Sequence, residues 1–324
     1  MNNTTLPQES DRPLDSPGFS AYSILMALII LVAGVAMGVI VVAIGRARST
    51  PRSLQLFLIN LLLAGLVMGL GVLFIVGTSA VLVGMGPKQP RPPRYLCRVY
   101  IWLFCVGSAA RPWSLAAFSL SVLAIVRFGK KSISLLHAAV IITILWLVPI
   151  ITSLFIMLPY VYEAQFVQGV ACFPDDNNTV FIQARHTFTA IWVTVGGLIP
   201  MTVNIAVPII CLCYIKKNTV TEDVQYRKGL SKLSLFLMLG GAINMVGQLI
   251  PGIVAYYAAA PGLYIAYGFA SISLLPTPII IIAYLKPVQE QLKKMFTCSV
   301  STAGAKDSSW TTSTPGSNET EEKL

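Results

Sequence analysis

The stretch "LAIVRFGKK", Leu123 to Lys131, closes a long apolar run with an arginine and then turns basic. Crossing a hydrocarbon core about 30 Å thick takes roughly 20 predominantly apolar helical residues. The run that Arg127 terminates, Val99 to Val126, meets that requirement. Six others do too: Tyr22 to Ile44, Leu54 to Val83, Leu136 to Leu158, Phe188 to Ile215, Leu233 to Ala258 and Leu263 to Leu285. Hydrophobic residues make up 55% of the 324 and charged ones 11%, against about 25% charged in an ordinary soluble domain. Inside a bilayer each backbone polar group must bond within its own segment. The expected fold is therefore an all-α membrane protein, a bundle of seven transmembrane helices.

Charge placement orients the bundle. The first twenty residues are polar, lack a basic n-region and precede an apolar run too long for a signal peptide, so the first helix reads as an uncleaved anchor. With the N-terminus outside, the inner segments collect 16 of the 23 Lys and Arg, among them Arg46, Arg127, Lys216 and Lys293. That asymmetry favours an extracellular N-terminus. Inner-leaflet phospholipid then accounts for the net charge of +10 without nucleic acid. Asn-x-Thr sequons at Asn2, Asn3 and Asn177 fall on the outer side, where glycosylation occurs. Cys97 and Cys172 lie in outer segments facing an oxidising compartment. A disulfide between them is the natural pairing, two free thiols the alternative.

The chain divides into an N-terminal tail (1–20), the seven-helix domain (21–286), an amphipathic surface helix (287–298) and a disordered cytoplasmic tail (299–324). In "LKPVQEQLKKMFTC" Val288, Leu292, Met295 and Phe296 share one face and Lys293 and Lys294 another. Such a short eighth helix lies on the inner membrane surface, with Cys298 a palmitoylation candidate. The Ser/Thr-rich tail reads as disordered, either a phosphorylation target or a solvated linker. No internal repeat of the kind that marks many transporters is visible.

Nothing in the sequence points to an enzyme. The seven spans contain no Asp or Glu, and the chain has two histidines, His137 and His186, at opposite ends. A metal site, a Ser-His-Asp arrangement or a proton relay needs more, and no lysine in a helix interior could anchor a retinal-like cofactor. No cofactor is expected. Arg111 is the one charge well inside a span, about 24 Å above Arg127. It reads either as a contact for the carboxylate or phosphate of an anionic ligand or as a side chain snorkelling to the outer headgroups. Sixteen residues correspond to about 160° of rotation, placing the two arginines on roughly opposite sides. Asn244 and Gln248, four apart on the sixth span, share a face. With Asn204, Ser271 and Ser273 they could make packing bonds or touch a ligand.

At this point the arrangement resembles the rhodopsin-like family of seven-helix G-protein-coupled receptors, over roughly residues 20 to 298. The resemblance is carried by "STPRSLQLFLINLLLAGL" (49–66), "SLAAFSLSVLAIVRF" (114–128), Trp146, Cys97 with Cys172, "VPIICLCYIKK" (207–217), Pro251 and "LLPTPIIIIAYLKPVQEQLKKMF" (274–296). It implies a plasma-membrane receptor for a small-molecule, lipid or peptide ligand, a heterotrimeric G protein as partner, and arrestin on a phosphorylated tail. Arg127 resembles the arginine of the family's Asp-Arg-Tyr motif, which reaches into the G-protein socket when the receptor opens. Val126 stands where the acid belongs and Phe128 where the tyrosine belongs.

Other positions depart as well. Gly65 replaces the aspartate that in relatives helps to coordinate sodium, and Thr277 replaces the asparagine of the Asn-Pro motif. A sodium site is therefore not expected, because a hard cation wants oxygen ligands and negative charge. Leu249 and Ile281 replace an aromatic pair, and Cys97 lies about five residues too far from Arg127. Ala109 at the amine-receptor aspartate and Ser271 near the opsin lysine disfavour an amine ligand and bound retinal. Without an acid near Arg127, raised basal coupling is expected. A scaffold or decoy that does not activate G proteins is the alternative reading, and a transporter a third.

Overall fold

The computed structural model describes residues 17–47, 49–85, 93–129, 133–157, 164–167, 170–174, 187, 190–191, 193–217, 224–258 and 267–301. Four long helices come first: α1 (Pro17–Arg46), α2 (Arg52–Met85), α3 (Arg94–Phe128) and α4 (Leu135–Ser153). After them come α5 (Ile199–Lys217) and α6 (Val224–Ala258). The span Tyr267–Tyr284, here α7, is regular helix over Pro276–Tyr284, and α8 (Lys286–Ser301) follows. Among the described residues, α1 to α5 and α7 hold segments long and apolar enough to cross a membrane. α6 has 35 residues, about 52 Å of helix.

Helix α3 is the axis of the bundle. Of its apolar window 78% is buried, against 11% for α4 and 33% for α1. The outer faces of α1 and α4 therefore expose Leu25, Val32, Val35, Ile144 and Ile151, as helices facing lipid do. Most boundaries fall near the expected ones; the regular helix of the fifth span starts at Ile199, after a π turn at Thr194–Leu198, rather than at Phe188, and two other shifts have local causes. α3 begins at Arg94 rather than Val99, after Pro93, whose ring fixes φ and suits a helix start. α6 begins at Val224 rather than Leu233. Its first turns are polar on one side but bury Leu230, so they extend the helix without raising its hydropathy.

The sequence reading held no strands, yet Ala164–Val167 and Val170–Pro174 (β1 and β2) pair antiparallel. Their β-branched and aromatic residues suit a pleated, half-covered surface, and the hairpin packs on α2 and α3. At the other end α8 buries Val288 and Leu292 and rests on α1. The Gln289 amide donates to the carbonyls of Ile282 (2.7 Å) and Ala283 (3.2 Å), satisfying acceptors that a helix C-terminus leaves open.

Two devices bind α3 to its neighbours. A Cβ at Gly107 would collide with the Met68 backbone, and one at Gly71 would lie 2.5 Å from the Phe104 nitrogen. The α2 and α3 backbones can approach this closely only because both residues are glycine. Nearby, Asn60 of α2 donates to the Ser114 hydroxyl of α3 (2.7 Å) and accepts from the Trp146 indole of α4 (2.6 Å). One amide thus joins three helices. Asn60→Leu removes both bonds, at about 0.6 to 1.7 kcal/mol each, and should lower the Tm in detergent by roughly 3 to 10 °C. Gly107→Ala should abolish surface expression, read by antibody labelling of intact cells.

Candidate functional site

The polar centre of the bundle is Arg111, and its geometry overturns the snorkelling reading. The residue is 6% exposed. Its guanidinium donates across the bundle to α7: Nη1 to Ser273 Oγ (3.1 Å), Nη2 to the Ser273 carbonyl (2.7 Å) and Nη2 to Thr277 Oγ1 (2.6 Å). The α7 backbone is shaped for this. Pro276 has no N–H, and the chain tightens to shorter bonds, Leu274 to Ser271 and Leu275 to Ile272. At this break the Ser273 carbonyl faces the guanidinium. Serine and threonine four apart put both hydroxyls on one side of α7. All three acceptors are neutral, although guanidinium prefers a carboxylate.

Beside Arg111 lies a cavity of about 30 Å³, lined by Arg111, Thr277, Asn204, Leu115, Met201 and Met245 among others. Asn204 of α5 donates from Nδ2 to the Pro112 carbonyl (3.0 Å), while its Oδ1 is buried with no donor among the described residues. Above Asn204 the helix carries a π turn at Thr194–Leu198. There the Ile199 N–H bonds the Thr194 carbonyl, five residues back. The Val195 carbonyl, which Ile199 would have taken in an α-helix, accepts instead from the Trp113 indole (3.0 Å).

Along α3 the two arginines do face opposite sides, as the rotation predicts, and Arg111 is the inward one. Arg127 is exposed and lies over the Phe128 ring, its Cζ 5.2 Å from the centroid. Val126, one position earlier and about 100° round the helix, is the buried residue. Counted from Cys97, the position with the family's spacing is Val122, also fully buried. Into this crevice comes instead Arg227 of α6, donating from Nη1 to the Val126 carbonyl (2.9 Å). The Ser234 hydroxyl of α6 donates to that of Ser119 on α3 (3.1 Å) one layer above.

The other expected residues fall as follows. Ser271 is buried, its hydroxyl donating to the Tyr267 carbonyl (2.8 Å). Asn244 and Gln248 lie on α6 and Cys298 on α8, but their side chains lie outside the described residues, as do Asn2, Asn3 and Asn177 altogether. Cys97 is fully buried near the start of α3, and Cys172 belongs to β2, which packs on that helix. The sequence reading missed Thr277 and Ser273 as the partners of Arg111, and missed Arg227 and Trp113. The first pair had a signal: a buried cation in spans without acids must use hydroxyls and carbonyls. Because those acceptors are neutral, Arg111→Met should leave the Tm in gluconate-buffered detergent near that of wild type. Arg111→Lys, a more strongly hydrated point charge, should lower it by several degrees.

A sequence profile described as "7 transmembrane receptor (rhodopsin family)" matches residues 37–302. No curated protein is significantly similar in sequence. In fold, the chain is similar to squid rhodopsin as seen in its crystal structure, with a TM-score of 0.67 over 95% of this chain and 94% of that one, at 14% identity. Identity this low speaks for the fold alone, and the opsin's chromophore does not transfer with it. The profile covers most of the chain, including α3, the Arg227–Val126 bond and the Arg111 cluster. The protein is therefore a multi-pass membrane receptor and not an enzyme, and it belongs to the rhodopsin family of seven-transmembrane receptors.

Proposed function

We propose that this receptor sits in the plasma membrane with its N-terminus outside and transmits an extracellular ligand to a heterotrimeric G protein, with raised basal activity. The observation that carries this is the inner latch. In the shut crevice α6 is tied to α3 by Arg227 on the Val126 carbonyl, a charge-assisted bond worth about 1.5 to 3 kcal/mol. A carboxylate at Val126 would make it an ion pair. A bistable pair of helices held by this bond and the Ser234–Ser119 pair opens at modest cost. Arg127, exposed at the inner end of α3, is placed for a partner to reach, with Val126 and Phe128 beside it.

The ligand is a small molecule, lipid or peptide entering from the outer side, and Arg111, Asn244, Gln248 and Ser271 are its candidate contacts. A Cys97–Cys172 disulfide fastens the hairpin over that entrance. In support, Cys97 counts among paired sulfurs and not free thiols, and β2 packs on α3. Glycans on Asn2, Asn3 and Asn177, palmitate on Cys298 and arrestin on a phosphorylated tail complete the reading, with α8 along the inner leaflet. A scaffold or decoy is the second reading. It is favoured by Val122, where the family's spacing from Cys97 puts a buried aliphatic side chain in place of arginine.

Ligand-free G-protein activation, measured across the main Gα classes at matched surface expression, separates the two. Arg227→Ala should raise it, up to about tenfold if opening gains 1.4 kcal/mol. Val126→Asp should lower it by giving Arg227 a carboxylate, and Arg127→Ala should reduce it by removing a contact. Silence in every variant favours the decoy.

A further inference from the structure

We infer that the cavity beside Arg111 binds a small monovalent anion of chloride size, held by the guanidinium and the Thr277 hydroxyl. The seven spans contain no Asp or Glu, so the +1 charge on Arg111 is offset by no carboxylate of the membrane helices. Its three bonds go to neutral oxygens, and they occupy three of the five N–H donors that a guanidinium carries. A charge desolvated in this way costs several kcal/mol unless an opposite charge lies close. Thr277 Oγ1 accepts from Arg111 and lines the cavity, and its own proton remains to donate. Cation and hydroxyl thus converge on one space.

Size and polarity narrow the occupant. The cavity of about 30 Å³ has room for a small ion with a water beside it. The water belongs on the Asn204 side, where the buried Oδ1 is an acceptor that would repel an anion but takes a proton from water. Met201 and Met245 supply part of the apolar wall.

The test is thermal unfolding of the purified full chain in detergent, in sodium gluconate against sodium chloride or bromide at constant ionic strength. A saturable rise of several degrees in Tm is expected with either halide and none with sulfate. Arg111→Gln should abolish the rise, and Thr277→Val, which keeps the charge, should weaken the apparent affinity at least threefold. Equal Tm in chloride and gluconate for wild type overturns the proposal, as does a halide shift undiminished in Arg111→Gln. Should Arg111→Gln fail to fold, an unchanged affinity in Thr277→Val overturns it equally. The readout is stability, so the outcome is independent of whether the receptor couples to a G protein.

Discussion

A guanidinium that must stay hydrogen-bonded where there is no bulk water constrains the middle of this molecule. Arg111 cannot relax toward the headgroups, because it sits on the inward face of the most buried helix. Its acceptors come from α7, so α7 must present a serine, a threonine and an opened carbonyl at one depth. Pro276 and the tightened backbone before it meet that demand. The charge belongs to α3 and the oxygens on α7 are neutral, so the contact between these two helices rests on one side chain.

Around that centre, polar and small residues fix the helices, since lipid tails give no hydrophobic reason for one helix to prefer another. Glycines at 71 and 107 let α2 and α3 touch along their backbones. Asn60 then fixes the rotation of α2, α3 and α4 through two bonds from one amide. At the inner end the contact between α3 and α6 is lighter, a serine pair and one arginine on a carbonyl. The bundle is firm on the α2–α3–α4 side and more lightly tied between α3 and α6.

The spans were legible because hydropathy over about 20 residues is a strong signal, and the seven apolar stretches map onto the helices with shifts at the starts of α3, α5 and α6. Amphipathic extensions were not: the first turns of α6 carry Arg227, Lys228 and Lys232, and a window average hides the buried Leu230. The β hairpin was hidden because four- and five-residue strands leave a short pattern in a long loop. Arg111 was singled out as the odd charge, with a ligand contact and a snorkelling position both open. Rotation gives only the relative orientation of two arginines, and burial makes Arg111 the inward one. Hydrogen bonds to backbone carbonyls, as made by Arg227 and Trp113, leave no mark on a sequence, since every residue has a carbonyl.

The π turn at Thr194–Leu198 also changes how the fifth helix is to be read. One extra residue in a turn shifts everything on its outer side by about 100° relative to a continuous α-helix. A helical wheel drawn through the whole span is therefore out of phase with itself at Val195. Side chains that look lipid-facing from the inner half can turn toward the bundle in the outer half. The outer wall of any ligand cavity is thus set by a register that must be counted from Thr194 upward and not from Pro208.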